Sequence, residues 1–316
     1  MDYLFVARTK KGDSFGDEPA ASHFVAVPET SGDILWSHRI AKTAWRRAVM
    51  EAARGGTPSG LTKGDIVFYV HGFNNSQALV LERHRKIRAA LAAQGFAGIV
   101  VSFDWPSADS ALNYLEDRDD AKSAAHQLVT EGIAPFARLQ EPDCRIDMHV
   151  LAHSTGAYVV REAFDDADDR MAVAAHNWSV SQVLLFAADV SVQSLDDGNP
   201  KSSSLYRHCV RLTNYYNPLD EVLSISAVKR IGVARRAGRV GLDEPPVAKA
   251  VNVYCGAHFR ANQHLYGTGI TAGHTWYFDD AVFMQDVHLA ISGQLDRHEF
   301  PTRAPTTLGN LALKAP

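Results

Sequence analysis

The stretch that decides the fold is RIDMHVLAHSTGAYVVREAF, residues 145–164. Its apolar run ends at Leu151, a turn of small residues follows, and apolar residues then recur at roughly helical spacing. The pattern predicts a buried strand, a sharp turn with Ser154 at its apex, and a helix. In this context a G-x-S-x-G string indicates a nucleophile elbow, and here Ala152 stands at the position of the first glycine.

Length and composition fit one large α/β unit. The chain has 316 residues, of which 46% are hydrophobic and 22% are charged, enough to bury a large core. We expect a single domain over residues 1–300 and a Pro- and Thr-rich tail without regular structure over residues 301–316. The formal charge of −4 provides no basic excess to neutralise phosphates, so the sequence predicts no nucleic-acid partner.

Signals for membrane insertion, export or disulfide bonding are sparse in the sequence. No run approaches the roughly 18 apolar residues of a membrane span, and the first residues lack the apolar core of a signal peptide. The cysteines are far apart and suggest neither a disulfide framework nor a zinc motif. The sequence therefore predicts a cytoplasmic protein without a membrane span, and it carries no signal for an oligomeric state.

Short apolar runs alternate with helical patterns along most of the chain. DIVFYV and GIVVSFDW are expected strands, and helices are expected over residues 40–53, 76–93 and 117–139. Continuous apolar strands separated by helices predict an α/β fold with a mostly parallel sheet covered on both faces. The interval between SQVLLFAADV and CVRLTNYY is too short for a large cap domain. Residues 229–249, rich in Arg, are expected to form a solvated surface excursion.

Chemistry is expected at the carboxyl ends of the strands, where loops converge on one crevice. The strand DIVFYV runs into HGFNN, and a glycine there lets the backbone approach a reacting atom closely. A tetrahedral oxyanion needs fixed N–H donors, for which the backbones of Phe73 and Thr155 are the candidates. The same turn also suits a helix cap at Asn75 or Ser76.

An acid and a base for Ser activation are expected after later strands. Asp220 follows CVRLTNYY and is favoured over Asp189, which ends SQVLLFAADV, because Ser, Asp, His is the usual hydrolase chain order. His274 lies in GHTWY beyond the strand AVNVYC and is favoured as base over His258. His258 and His264 lack a nearby carboxylate or cysteine set, so no metal site is predicted.

Together these segments resemble the serine-hydrolase α/β-hydrolases, and among them the esterase/lipase-like bacterial group called DUF900. The shared features are HGFNN, W-P-S at residues 105–107 followed by Tyr114 and Asp117, the H-S-x-G elbow, Asp220 with serines after it, and G-H before the final helix. The resemblance covers residues 65–292. The elbow alone is unspecific, but the ordered set is fairly specific.

The resemblance implies Ser154 as nucleophile, Asp220 as acid and His274 as base of a carboxylesterase-like or lipase-like enzyme. Its expected reaction is hydrolysis of carboxylic esters through an acyl-enzyme, with no metal or organic cofactor. Other residues of the shared segments are candidates for the substrate pocket: His71, Gly72, Asn74, Trp105, Tyr114 and His153. The Ala152 departure from glycine removes no catalytic atom.

The expected substrate is a small or short-acyl ester, with the loop over residues 106–120 as the cover of the pocket. Thioesters or amides are an alternative, because the same acyl-transfer groups serve all three bonds. A non-catalytic binding protein on a hydrolase fold is a second alternative, since fold does not imply function. Reaction with a fluorophosphonate distinguishes a catalytic serine from a scaffold.

Overall fold

The computed structural model describes residues 1–55, 62–107, 116–137, 144–169, 171–174, 178–228, 234–244, 246–307 and 309–315. The strands of this part of the chain are β1 (Asp2–Lys11), β2 (Ser14–Val27), β3 (Thr62–Val70), β4 (Ile99–Asp104), β5 (Cys144–His153), β6 (Val180–Phe186), β7 (Cys209–Tyr216), β8 (Ala250–Tyr254), β9 (Arg303–Pro305) and β10 (Leu311–Leu313). They form one ten-stranded sheet in the order β2-β1-β4-β3-β5-β6-β7-β8-β10-β9.

The sheet is parallel throughout its interior. Every neighbouring pair from β1–β4 to β8–β10 runs parallel, and the edge strands β2 and β9 are antiparallel to their neighbours. The predicted mostly parallel sheet is therefore confirmed. Only residues 187–208 separate β6 from β7, so no large cap domain is inserted between them.

Helices cover both faces of the sheet. In chain order they are α1 (Lys42–Ala53), α2 (Gln77–Ala93), α3 (Glu116–Gln127), α4 (Ala134–Ala137), α5 (Gly156–Asp168), α6 (Met171–Ala174), α7 (Pro200–His208), α8 (Glu221–Val228), α9 (Ala237–Val240), α10 (Gly256–Tyr266), α11 (Ala272–Thr275) and α12 (Ala281–Ser292). A π-helical turn, Leu128–Ile133, joins α3 to α4 inside the expected helix 117–139. Within the described ranges, no helix combines the length and apolar character needed to cross a bilayer.

Alternation along the strands explains the two helical layers. Phe68 of β3 belongs to a buried cluster with Trp45 of α1. Its neighbour Tyr69 points to the other face and belongs to a cluster with Ile87 of α2. Successive side chains of a strand point to opposite faces, so a continuous apolar run requires a helical layer on each side.

Much of the segment 234–244 is buried, and the prediction of a solvated excursion is wrong there. Arg236 is only 2% exposed, and its Nε lies 3.2 Å from the buried carboxylate of Asp189. A Cβ on Gly238 would lie 2.0 Å from the backbone nitrogen of Ala188, so this segment packs directly on the chain after β6. The arginine content predicted exposure to solvent because the carboxylate that pairs with Arg236 is distant in sequence and gives no local signal.

Residues 301–316 also differ from expectation, since they contribute β9 and β10 to the sheet. Arg303 Nη2 lies 2.6 Å from Asp286 Oδ1, and both side chains are fully buried. The Thr302 hydroxyl donates to Asp286 Oδ2 at 2.5 Å. A buried ion pair and pairing with β8 order this segment, which its Pro and Thr content alone could not indicate.

Candidate active site

Ser154 lies on the turn between β5 and α5 with a left-handed backbone. Its φ is +56°, a region that non-glycine residues rarely occupy. The end of β6 holds this conformation, because Ser154 N–H donates to Phe186 O at 3.2 Å and Asp189 N–H donates to Ser154 O at 3.0 Å. Such a turn presents the serine hydroxyl at the carboxyl edge of the sheet, next to a helix N-terminus.

Two glycines bring the HGFNN turn against this elbow. A Cβ on Gly156 would lie 2.3 Å from Val70 O, and one on Gly72 would lie 2.6 Å from Ser154 Cβ. Neither position has room for a side chain. Ala152, where glycine is usual, lies in β5 between β3 and β6 and is fully buried. The sheet therefore accommodates its methyl group.

A histidine and a carboxylate meet at the same edge. His274 Nδ1 lies 2.7 Å from Asp220 Oδ2, and the other carboxylate oxygen, Oδ1, accepts from Leu223 N at 2.9 Å. Asn217 fixes the two segments together, since its Nδ2 donates to Gly273 O at 3.0 Å. A carboxylate only accepts hydrogen bonds, so in a neutral His274 ring this contact puts the proton on Nδ1 and the lone pair on Nε2.

His153 contacts the backbone of His274. Its Nε2 donates to the carbonyl oxygen of His274 at 3.0 Å, and its ring centroid lies 5.0 Å from that of Phe186 and 5.0 Å from that of Phe278. Burial places the pKa of His153 well below its ordinary value, and the nearby imidazole of His274 and guanidinium of Arg83 lower it further. His153 is therefore a neutral donor that fixes the backbone of the histidine facing the cavity.

The two candidate oxyanion donors belong to the two turns that line the cavity at Ser154. Thr155 is the N-cap residue of α5, so its N–H has no acceptor within the helix. Phe73 lies in the HGFNN turn, where Asn75 Nδ2 donates to Gly72 O at 2.6 Å and to Phe73 O at 3.1 Å. Asn74, exposed and at φ +52°, completes a turn whose conformation is fixed by these bonds.

His71 and Trp105 lie beneath this turn, and the prediction that they line the substrate pocket is wrong. Both are fully buried and their rings are stacked, with centroids 5.4 Å apart. His71 Nδ1 donates to Gly72 O at 2.8 Å, and burial lowers the pKa of His71. Arg8 Nε donates to both oxygens of the buried Asp104 at 3.0 Å, which anchors this layer to β1 and β4.

A cavity of ≈ 630 Å³ joins these groups. It is lined by Ser154 and its neighbours His153 and Thr155, and by Phe73, Asn74, Asn75, Leu79, Arg83, Asp189, Val222, Leu223, Ile225, Ser226, Ile270, Thr271, His274 and Thr275. Of the expected pocket residues, Asn74 and His153 line it, Gly72 contacts Ser154 from the side, and Tyr114 lies outside the described residues. Residues 108–115 of the expected cover also lie outside them.

Comparison with known proteins identifies the family. The model of the family described as "Alpha/beta hydrolase of unknown function (DUF900)" matches residues 59–280. The chain belongs to this family. The resemblance seen in the sequence is thereby confirmed, and no curated protein matches the chain.

Solved structures similar to this α/β-hydrolase include a cutinase, an esterase and a lipase. A Trichoderma reesei cutinase with a phosphonate inhibitor is 16% identical over 72% of this chain and 74% of that one, with a TM-score of 0.34. Esterase B of Lactobacillus rhamnosis is 13% identical over 73% and 76%, with a TM-score of 0.35. Aspergillus fumigatus lipase B is 15% identical over 77% and 54%, with a TM-score of 0.38. These distant similarities carry no argument about the activity.

Asp189, the rival acid, has other partners in the hydrolase. Both of its oxygens lie 3.0 Å from the Ser226 hydroxyl, and Arg236 Nε lies 3.2 Å from Oδ1. Burial raises the pKa of Asp189 above its ordinary value. The carboxylate bonded to His274 is that of Asp220, so geometry favours Asp220 for the acid role.

His258, the rival base, belongs to a separate cluster in α10. Its Nε2 lies 2.8 Å from Asp280 Oδ2, and its Nδ1 donates to Lys314 O at 2.6 Å. His264 is exposed on the same helix. Across the described parts of the chain, no group of three or more His, Cys, Asp or Glu side chains is arranged to hold a metal ion. His258 therefore anchors the C-terminal segment away from the cavity.

Sequence reasoning missed the contributions of α2 and α8 to the cavity. Arg83 and Leu79 come from α2, and Val222, Leu223 and Ile225 come from α8. Of the two proposed helix caps only Ser76 caps α2, because its Oγ accepts from Leu79 N at 3.2 Å. The sequence signal for these lining residues is limited to their position just after strands that end at the active edge.

Proposed function

We propose that this α/β-hydrolase cleaves carboxylic esters, with Ser154 as nucleophile, His274 as base and Asp220 as the acid that orients it. The observation that carries the proposal is the 2.7 Å hydrogen bond between His274 Nδ1 and Asp220. His274 lines the same cavity as Ser154, which lies on a strand-to-helix turn. A buried carboxylate on Nδ1 leaves the Nε2 lone pair of His274 available for the serine proton.

In the proposed reaction, His274 Nε2 takes the Ser154 hydroxyl proton as the serine oxygen adds to the ester carbonyl. The backbone N–H groups of Phe73 and Thr155 hold the resulting oxyanion. His274 then gives its proton to the leaving alcohol oxygen, and the acyl group stays on Ser154. Water then attacks the acyl-enzyme as His274 takes one of its protons, and His274 returns that proton to the Ser154 oxygen as the carboxylic acid leaves.

Small or short-acyl esters are the proposed substrates. The cavity volume of ≈ 630 Å³ lies within the range that accommodates small ligands. Its aliphatic side chains, from Leu79 to Ile270, suit the hydrocarbon part of an ester. The cavity walls also include Arg83, whose charge is considered below.

The test combines active-site labelling with turnover. A fluorophosphonate probe is expected to label the wild-type protein on Ser154, and p-nitrophenyl esters of increasing chain length are expected to give highest kcat/KM at the short end. Ser154→Ala is expected to lose labelling and at least about 10⁴-fold in kcat while keeping its thermal melting temperature. A labelled protein that cleaves matched thioesters or amides better than esters would change the substrate class. An unlabelled, inactive wild-type protein would favour a binding role.

A further inference from the structure

Arg83 is a charged residue of the cavity that the proposed chemistry does not use. It lies in α2 and lines the cavity that contains Ser154 and His274. Its Nη1 donates to Asn75 Oδ1 at 2.5 Å, and its guanidinium carbon lies 4.6 Å from the ring centroid of Phe278. A hydrogen bond at one end and a ring under its face fix the guanidinium before any ligand binds.

Arg83 also differs in its charge pairing from the other charged side chains at the cavity. Asp189 pairs with Arg236, and Asp220 is bonded to His274. Among the residues that the structure describes, no carboxylate lies within 4.0 Å of the Arg83 guanidinium. The cavity therefore contains a positioned cation whose remaining N–H donors have no anionic partner in the described structure.

The two sides of the cavity differ in chemistry. In the sheet β3 and β7 lie on opposite sides of β5, which carries Ser154 at its end. The wall after β3 includes Arg83, and the wall after β7 is α8, which presents Val222, Leu223 and Ile225. The wall after β3 thus carries a cation, whereas the wall after β7 is mainly aliphatic.

We propose that the natural substrate is an ester that also carries an anionic group, a carboxylate or a phosphate, which binds Arg83. The hydrocarbon part of the substrate then lies along α8, and the scissile carbonyl lies over Ser154. This inference rests on the proposed ester hydrolysis. Arginine suits such a group because its planar fork forms charge-assisted hydrogen bonds, which are about twice as strong as neutral ones.

The experiment compares anionic esters with neutral esters of similar shape. On the alcohol side the probes are phenyl butyrates with a 4-carboxylate, a 4-phosphate or a neutral 4-methoxycarbonyl group. On the acyl side they are the mono-p-nitrophenyl ester of adipic acid and its neutral methyl ester. The measured quantity is the ratio of kcat/KM for the anionic ester to that for its neutral counterpart, compared between wild type and variant, so that intrinsic reactivity cancels.

Arg83→Gln is expected to lower this ratio by about 10- to 100-fold in one of the two series, the effect of losing a charged hydrogen bond. The series that responds identifies the side of the ester that carries the anion, and the two anionic phenyl esters distinguish carboxylate from phosphate. Arg83→Lys, which keeps the charge without the fork, is expected to give an intermediate ratio. Lys86→Gln removes a cation from the same helix, where Lys86 pairs with Glu82 and Asp279, and is expected to keep the wild-type ratio.

An unchanged ratio in both series for Arg83→Gln, with neutral esters still cleaved, would overturn this inference and leave the proposed ester hydrolysis intact. An equal fall in Lys86→Gln would also overturn it, since general electrostatics would then explain the effect. Absence of turnover on every ester by the wild-type protein would refute the proposed hydrolysis, and this inference with it. If Arg83→Gln does not fold, as judged by thermal melting, the Arg83→Lys ratio decides.

Discussion

Replacing Asp220 by asparagine is the sharpest test of the proposed acid. Asp220 Oδ1 accepts from Leu223 N at 2.9 Å, and Oδ2 lies 2.7 Å from His274 Nδ1. An asparagine amide keeps the first bond only with its oxygen on Leu223, which turns its NH₂ group toward His274. An N–H donor facing Nδ1 favours the tautomer with the proton on Nε2, and that tautomer cannot accept the serine proton.

The expected loss in Asp220→Asn is therefore about 10⁴-fold in kcat, equivalent to about 5 kcal/mol of transition-state stabilisation. The assay is steady-state hydrolysis of p-nitrophenyl butyrate near neutral pH, with thermal melting to show that the variant is folded. Asp189→Asn is the matched control at the same cavity and is expected to lose far less kcat. Retention of more than about a tenth of wild-type kcat by Asp220→Asn, or a larger loss in Asp189→Asn, would refute the assignment.

The other predictions concern stability, measured by urea unfolding. Gly156→Ala forces a Cβ to within 2.3 Å of Val70 O and is expected to cost about 1–3 kcal/mol, so an unchanged midpoint would contradict the packing described for the elbow. Arg303→Leu leaves Asp286 buried without its ion-pair partner and is expected to cost about 3–5 kcal/mol, whereas replacing both residues by Leu should recover most of that loss. Burial lowers the pKa of His258, but its bonds to a carboxylate and a carbonyl outweigh burial and raise it above 6.5. Because the folded-state pKa is raised, the stabilisation is complete below the unfolded value and is lost as pH rises through the folded one. His258→Gln should therefore lower the free energy of unfolding more at about pH 6 than at about pH 9. An equal loss at both pH values would show that the charge of this histidine does not contribute to stability.

The fold was predictable because its decisive signals are local. A continuous apolar strand, small residues around Ser154 and an apolar helical face are all contained in twenty neighbouring residues. The helical patterns between successive apolar runs then predict parallel strands, because a crossover helix returns the chain to the start of the sheet and the next strand runs in the same direction. The strand order places β3 between β4 and β5, and no short window of the sequence indicates that arrangement.

Part of the candidate site was also within reach of the sequence. Asp220 and His274 could be selected because each follows a strand that ends at the active edge, and the structure brings them into contact. Their catalytic roles stay predictions. The prediction for His71 and Trp105 failed because the same sequence pattern, a His-Gly turn or a tryptophan after a strand, occurs in residues that line a cavity and in residues that pack behind it.

Contacts between distant residues account for what the sequence did not indicate. An arginine in a helical pattern is expected in solvent, and only the fold brings Arg83 beside Asn75 and Phe278. The same holds for Arg236, whose counter-ion precedes it by more than forty residues. Charge type is readable from sequence, but the identity of the partner depends on the tertiary structure.

The position of β10 in the sheet has a consequence for synthesis on the ribosome. β10 covers one side of β8, and it is translated about sixty residues after β8. Until then, a nascent chain that already contains Ser154, Asp220 and His274 has β8 as an open strand edge, able to pair with another chain. A chain stopped at residue 302 is therefore expected to aggregate although it contains every proposed catalytic residue, and a chaperone that shields strand edges should matter most in the last stage of translation.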